Sequence, residues 1–171
     1  MKSRLSIYAC SFLIPEISQV IKNGDYSDVQ LFSFSADCSS KALNQITFPK
    51  IQSKLHPNSD IIVIGSSCYS NHLTEQENKK NVKVYQLGQC FEMILNPDTI
   101  YHLIAQGNYI VTNGWLKNYK KSIKKWGFDK STSRFFFQES LKSILLLDTK
   151  IPWNYMPNLL ALSDYMGLPY N

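Results

Sequence analysis

The chain has 171 residues, 44% of them hydrophobic and 18% charged. That composition excludes a disordered chain and suits one α/β domain over residues 1–171 with a single respectable core. The formal charge of +5 would allow an acidic partner, but a basic balance alone is a poor argument for nucleic acid, which is disfavoured.

The first residues, Met1 to Arg4, and the apolar run after them imitate a secretory leader. Ser6, Cys10 and Ser11 interrupt that run and Pro15 and Glu16 end it, so it reads as a first strand, Arg4–Ala9, feeding a helix over Pro15–Lys22. Proline suits the first helical turn, and Asn23 with Gly24 supplies the stop. A second strand follows at Val29–Phe34. Ser39–Leu55 has helical character broken by Pro49, and His56–Asn58 turns the chain into a third strand at Ile61–Ile64. Thr74–Asn81 is polar and reads as exposed. Val82–Tyr85 is a fourth strand, and Cys90–Leu95 one or two helical turns.

Asn96–Asp98 opens a helix that runs to Gln106 and ends at Gly107, with Asp98 or Asn96 suited to cap it. Asn108–Thr112 is a fifth strand, turning at Asn113 and Gly114 into a helix over Trp115–Trp126. Another helix spans Ser131–Lys142. A sixth strand, Ile144–Leu147, delivers Asp148 and Thr149 to its end, and a last helix covers Pro157–Met166 before Gly167. Near-continuous apolar strands alternating with helices predict a three-layer α/β fold: a mostly parallel, flavodoxin- or Rossmann-like sheet with helices on both faces. No apolar run approaches the roughly 18 residues of a membrane span.

Cys10, Cys38, Cys68 and Cys90 each follow one of the first four strands. If those strands are parallel, all four thiols reach the carboxyl edge of one sheet, where open α/β folds bind ligands. In a flavodoxin-like order, Cys10 and Cys68 flank the switch point while Cys38 and Cys90 reach in from the outer strands. Four adjacent strand ends span roughly 14 Å, a spread that suits an iron–sulfur cluster better than a compact zinc site, the alternative. A set lacking Cys38 is a further version. The competing structural reading is that these are inert core thiols, since cysteine is often buried and no CxxC pair occurs. Four cysteines in a chain read as cytoplasmic favour metal or redox chemistry over disulfides.

Other chemistry is thinner. His56, His72 and His102 are scattered, and only His72, four residues past Cys68, is suited to approach the site. No glycine-rich nucleotide loop occurs. Trp115, Tyr119, Ile123 and Trp126 recur at helical intervals with Lys117, Lys120, Lys121, Lys124 and Lys125 between them. This is an amphipathic basic helix, read as a solvated face over an aromatic core stripe in preference to a nucleic-acid or membrane-binding surface. Thr112, Trp115 and Asp148 come to strand ends and are expected to line the cofactor pocket.

Ala9–Cys10, Pro15–Ile17, Gln89–Glu92, Tyr109–Trp115, Trp126–Asp129 and Leu145–Thr149 together resemble the bacterial and archaeal family called domain of unknown function sixteen thirty-eight, over nearly the whole chain. The branch it is similar to serves as an N-terminal input module ahead of sensor kinases and ends near a motif like Gly167–Pro169. The family pattern has proline where Asn113 stands and glycine where Lys150 stands. The resemblance implies a sensory module with a signalling output domain or partner protein, or a homodimer. The combined expectation is a cofactor-binding sensory domain with a cysteine-ligated metal centre responding to redox state or a small ligand. The alternative is a thiol- or metal-dependent transferase using the same pocket.

Overall fold

The computed structural model describes residues 5–34, 59–66 and 81–171. The chain divides into two compact units, Met1–Ile94 and Leu95–Asn171. The expected helical stretch Ser39–Leu55, the His56–Asn58 turn and the polar segment from Thr74 to Lys80 lie outside the described residues. So do Cys38, Cys68, His56 and His72.

The first unit is built on β1 (Leu5–Cys10), α1 (Ile14–Asn23), β2 (Val29–Phe34), β3 (Asp60–Ser66) and β4 (Val82–Leu87). The four strands form one sheet in the order β2-β1-β3-β4, and every neighbouring pair is parallel. This is the order the switch-point argument requires: the chain steps outward from β1 to β2, then crosses to β3 on the other side. Register sets Ser6 opposite Ile61, Tyr8 opposite Phe32 and Val63, and Cys10 opposite Phe34. Because side chains alternate along a strand, these share one face. It forms the core: Tyr8, Cys10, Phe34, Ile61 and Val63 are all buried with Leu13 and Ile17 beside them, and the Tyr8 and Phe32 rings stack at 5.3 Å. Edge strand β4 alternates, with Val82 and Val84 half-buried and Lys83 and Tyr85 exposed.

The second unit contains α2 (Pro97–Ala105), β5 (Asn108–Thr112), α3 (Asn113–Lys117), α4 (Tyr119–Trp126), α5 (Lys130–Ser140), β6 (Ser143–Leu147) and α6 (Met156–Met166). β5 and β6 pair in parallel, Thr112 opposite Leu147. The other side of β6 is taken by the last residues: Ile144 N–H donates to Pro169 O at 2.8 Å, Asn171 N–H to Ile144 O at 2.9 Å, and Leu146 N–H to Asn171 O at 3.0 Å. Val111, Leu116, Tyr119, Phe137, Ile144, Leu159, Leu162, Met166 and Leu168 form this unit's core. The fold is therefore α/β with parallel sheets flanked by helices, as the pattern of elements predicts. No helix among the described residues is long and apolar enough to cross a membrane.

One helix differs from expectation. Trp115–Trp126 reads as continuous but is split at Asn118, whose backbone (φ −114°, ψ 7°) leaves helical geometry. Its Nδ2 bonds Gly114 O at 3.4 Å, the local side-chain competition that makes asparagine a poor interior helix residue. The first piece also begins two residues early, because Thr112 Oγ1 accepts the Trp115 N–H at 3.1 Å and caps it. The stripe survives the break: Tyr119 is buried, and Trp115, Ile123 and Trp126 pack against the core. The five lysines between them are exposed.

Candidate functional site

Cys10 is the last residue of β1 rather than the first beyond it. It is 3% exposed. Its carbonyl accepts the Leu13 N–H at 2.8 Å, and Ser11 N–H donates to Phe34 O at 3.0 Å, so the turn from β1 toward α1 is held against the end of β2. Cys90 opens a 3-10 turn, Cys90–Met93. That turn is fixed by Glu92, whose carboxylate accepts the Gly88 N–H at 2.8 Å and the Gln89 N–H at 3.0 Å. Cys90 is half-buried and packs against the same hydrophobic cluster that contains Cys10. Among the described residues no three histidine, cysteine, aspartate or glutamate side chains gather as a metal site. His102 is exposed and bonded to Gln106 at 2.9 Å.

Thr112, Trp115 and Asp148 belong to the second unit. Thr112 is buried at the end of β5, where its hydroxyl serves as a helix cap. Trp115 turns its ring into the aromatic cluster, 5.8 Å from Tyr109 and 6.4 Å from Trp126. Asp148 follows β6. Its Oδ2 accepts Lys150 Nζ at 2.7 Å and its Oδ1 accepts the Lys150 backbone N–H at 3.0 Å. These bonds from Lys150 hold the Asp148 carboxyl below its usual range and push the Lys150 ammonium up in return. Asp148 is therefore ionised at neutral pH, an acceptor of hydrogen bonds and not a proton donor.

The residue that joins these strand ends is Asn113, wholly buried. Its Oδ1 accepts from Thr149 twice, from the backbone N–H at 2.9 Å and from the hydroxyl at 3.1 Å. Its Nδ2 meets no partner at hydrogen-bonding geometry, although the side chain still contributes a little to lowering the Asp148 carboxyl. Sequence reading treats Asn113 and Gly114 as a turn and misses this role. The available signal was positional: Asn113 follows β5 by one residue, as Asp148 follows β6, in a parallel pair.

Class follows from topology: the first unit is a parallel, switch-point α/β sheet with a cysteine at the end of its inner strand β1. Comparison with protein-family models, curated proteins and solved structures gives no match to any of them.

Proposed function

We propose that the chain is a sensory or regulatory module in which Cys10, Cys38, Cys68 and Cys90 hold an iron–sulfur cluster at the carboxyl edge of the first sheet. The observation that carries this reading is the strand order β2-β1-β3-β4 with every pair parallel. All four cysteine-bearing connections then leave from the same edge. Cys68 is two positions beyond the end of β3 and Cys38 four beyond the end of β2.

The donor set fits the group. Cysteine thiolates are the usual ligands of iron–sulfur clusters, and the apolar residues around Cys10 and Cys90 would exclude solvent, one means by which a protein sets such a centre's potential. The cluster would supply a centre able to gain or lose an electron. Resemblance to sensor-kinase input modules supplies the output, a signalling domain or partner protein in the cytoplasm. Lys150 supports that resemblance: it adopts φ 58°, in the left-handed region that favours the glycine of the family pattern.

Anaerobic purification with visible absorption and iron and sulfide analysis tests the reading. Coloured protein with stoichiometric iron and sulfide supports it. Selective alkylation of a single low-pKa cysteine in metal-free protein would favour the transferase alternative instead.

A further inference from the structure

Between Asp98 and Asp129 the chain carries five lysines and no acidic residue. Four of the five, Lys120, Lys121, Lys124 and Lys125, lie on α4 and are exposed. At about 100° per residue, Tyr119, Ile123 and Trp126 occupy a narrow arc toward the core, and the lysines cover roughly 140° on the opposite side. Lys120, Lys121 and Lys124 form no ion pair among the described residues. The next acid along the chain is already engaged. Asp129 caps α5 by accepting the Thr132 N–H at 2.7 Å, and Asp164 pairs with Lys130 at 2.6 Å and Arg134 at 2.8 Å.

One apolar ring borders the end of this basic helix, and a second is exposed next to it in sequence on α5. Phe135 is 69% exposed and Phe136 52%. Phe136 lies 5.2 Å from Phe128, which directly follows Gly127, the cap of α4. Exposed phenylalanine costs free energy in water, and a ring with no polar tip is suited to the boundary between lipid headgroups and acyl chains.

We propose that α4 and the first turns of α5 form a docking face for an anionic phospholipid surface. Charge complementarity selects an anionic partner. The outward residues of α4 choose among such partners: they include no arginine, asparagine or glutamine to read a base edge, and the phenylalanines of α5 carry no hydrogen-bonding group. Lysine point charges spread over a convex arc suit a diffuse field of headgroups, where each adds attraction that salt screens. The inference is independent of any metal bound by the first unit.

Co-sedimentation of the full chain with vesicles tests it, comparing phosphatidylcholine alone with phosphatidylcholine containing about one third phosphatidylserine. Expected is partition to the anionic vesicles only, abolished by high salt, and weakened at least about tenfold when Lys120, Lys121, Lys124 and Lys125 are all changed to glutamine. Phe135→Ser with Phe136→Ser should weaken binding while leaving its salt dependence intact. If the quadruple variant does not fold by circular dichroism, Lys120→Gln and Lys124→Gln separately should each give a few-fold loss. Equal binding to neutral vesicles, no binding at low salt, or indifference to the lysine changes would overturn the proposal. So would tighter binding to a single-stranded oligonucleotide under the same salt.

Discussion

Asn113 ties the end of β5 to the loop after β6 through two bonds to Thr149. Replacing it by alanine strips the Thr149 N–H and hydroxyl of their acceptor and opens a small void in a fully buried position. Asn113→Ala is expected to cost about 1–3 kcal/mol, read by denaturant unfolding followed through tryptophan fluorescence. The three tryptophans, Trp115, Trp126 and Trp153, all lie in the second unit, so that signal reports the unit concerned. A loss under about 0.5 kcal/mol would mean that water replaces the side chain without penalty. Lys150 gives a prediction of the opposite sign. Its left-handed backbone costs about 1–2 kcal/mol for a residue bearing a Cβ, while its Nζ contact to Asp148 sits on a side chain 85% exposed and is worth little. Lys150→Gly keeps the backbone bond to Asp148 and should leave the protein as stable as the parent or slightly more so. A clear fall in melting temperature would show that the Nζ contact outweighs the relief of strain.

Among the elements, α5 and α6 are joined by polar clamps as well as by packing. Arg134 reaches the Asp164 backbone carbonyl and carboxylate, and Gln138 Nε2 donates to Gly167 O at 2.7 Å. Gly167 at φ 68° ends α6, and a Cβ there would meet Arg134 Cγ at 2.8 Å, so this stop needs glycine for both backbone and space. Deleting the wholly buried Leu162 side chain should cost far more than any clamp. Leu162→Ala is expected to lose about 2–5 kcal/mol, against about 1 kcal/mol for removing the α5 cap in Asp129→Ala. Denaturation of the two variants side by side checks the ranking, and equal losses would contradict it.

Legibility in the sequence followed the same physics. β2 and β5 were readable to their ends, because apolar runs met turn-forming residues on both sides. Asn96 and Asp98 were equally good caps on paper, and only the 2.8 Å contact from Thr99 N–H selects Asn96. The break at Asn118 was hidden because the aromatic stripe keeps helical spacing across it, and periodicity is blind to one residue whose side chain competes for a nearby carbonyl. Cys10 was one residue from its expected place, and that residue matters. As part of β1, its face is set by the pleat, directing it into the core with Tyr8.

For the whole molecule, three carboxylates of the second unit set one response to acid. Asp129, Asp148 and Asp164, all in the second unit, have carboxyls held below their ordinary range, by the Thr132 N–H, by Lys150 and by Lys130 respectively. Folded values below the unfolded ones mean that their stabilisation is complete above an unfolded value of about 3.9 and is lost as pH falls through the lower folded values. Tryptophan-monitored melting should therefore be flat near neutrality and fall below about pH 4, with the fall reduced in high salt because Asp129 and Asp164 are exposed. A decline beginning near pH 6 would implicate other groups.

Strand order was the part of the architecture that sequence could assume but not derive. Apolar runs announce strands without naming their neighbours, and β2-β1-β3-β4 emerges only from pairing. The whole account of the cysteines rests on that order. Iron and acid-labile sulfide measured on anaerobically purified protein, parent beside Cys10→Ser, is the most direct test. The account predicts coloured parent protein with stoichiometric iron and sulfide, and a variant that loses most of both while remaining folded. Colourless parent protein with neither element, after strictly anaerobic handling, would contradict it.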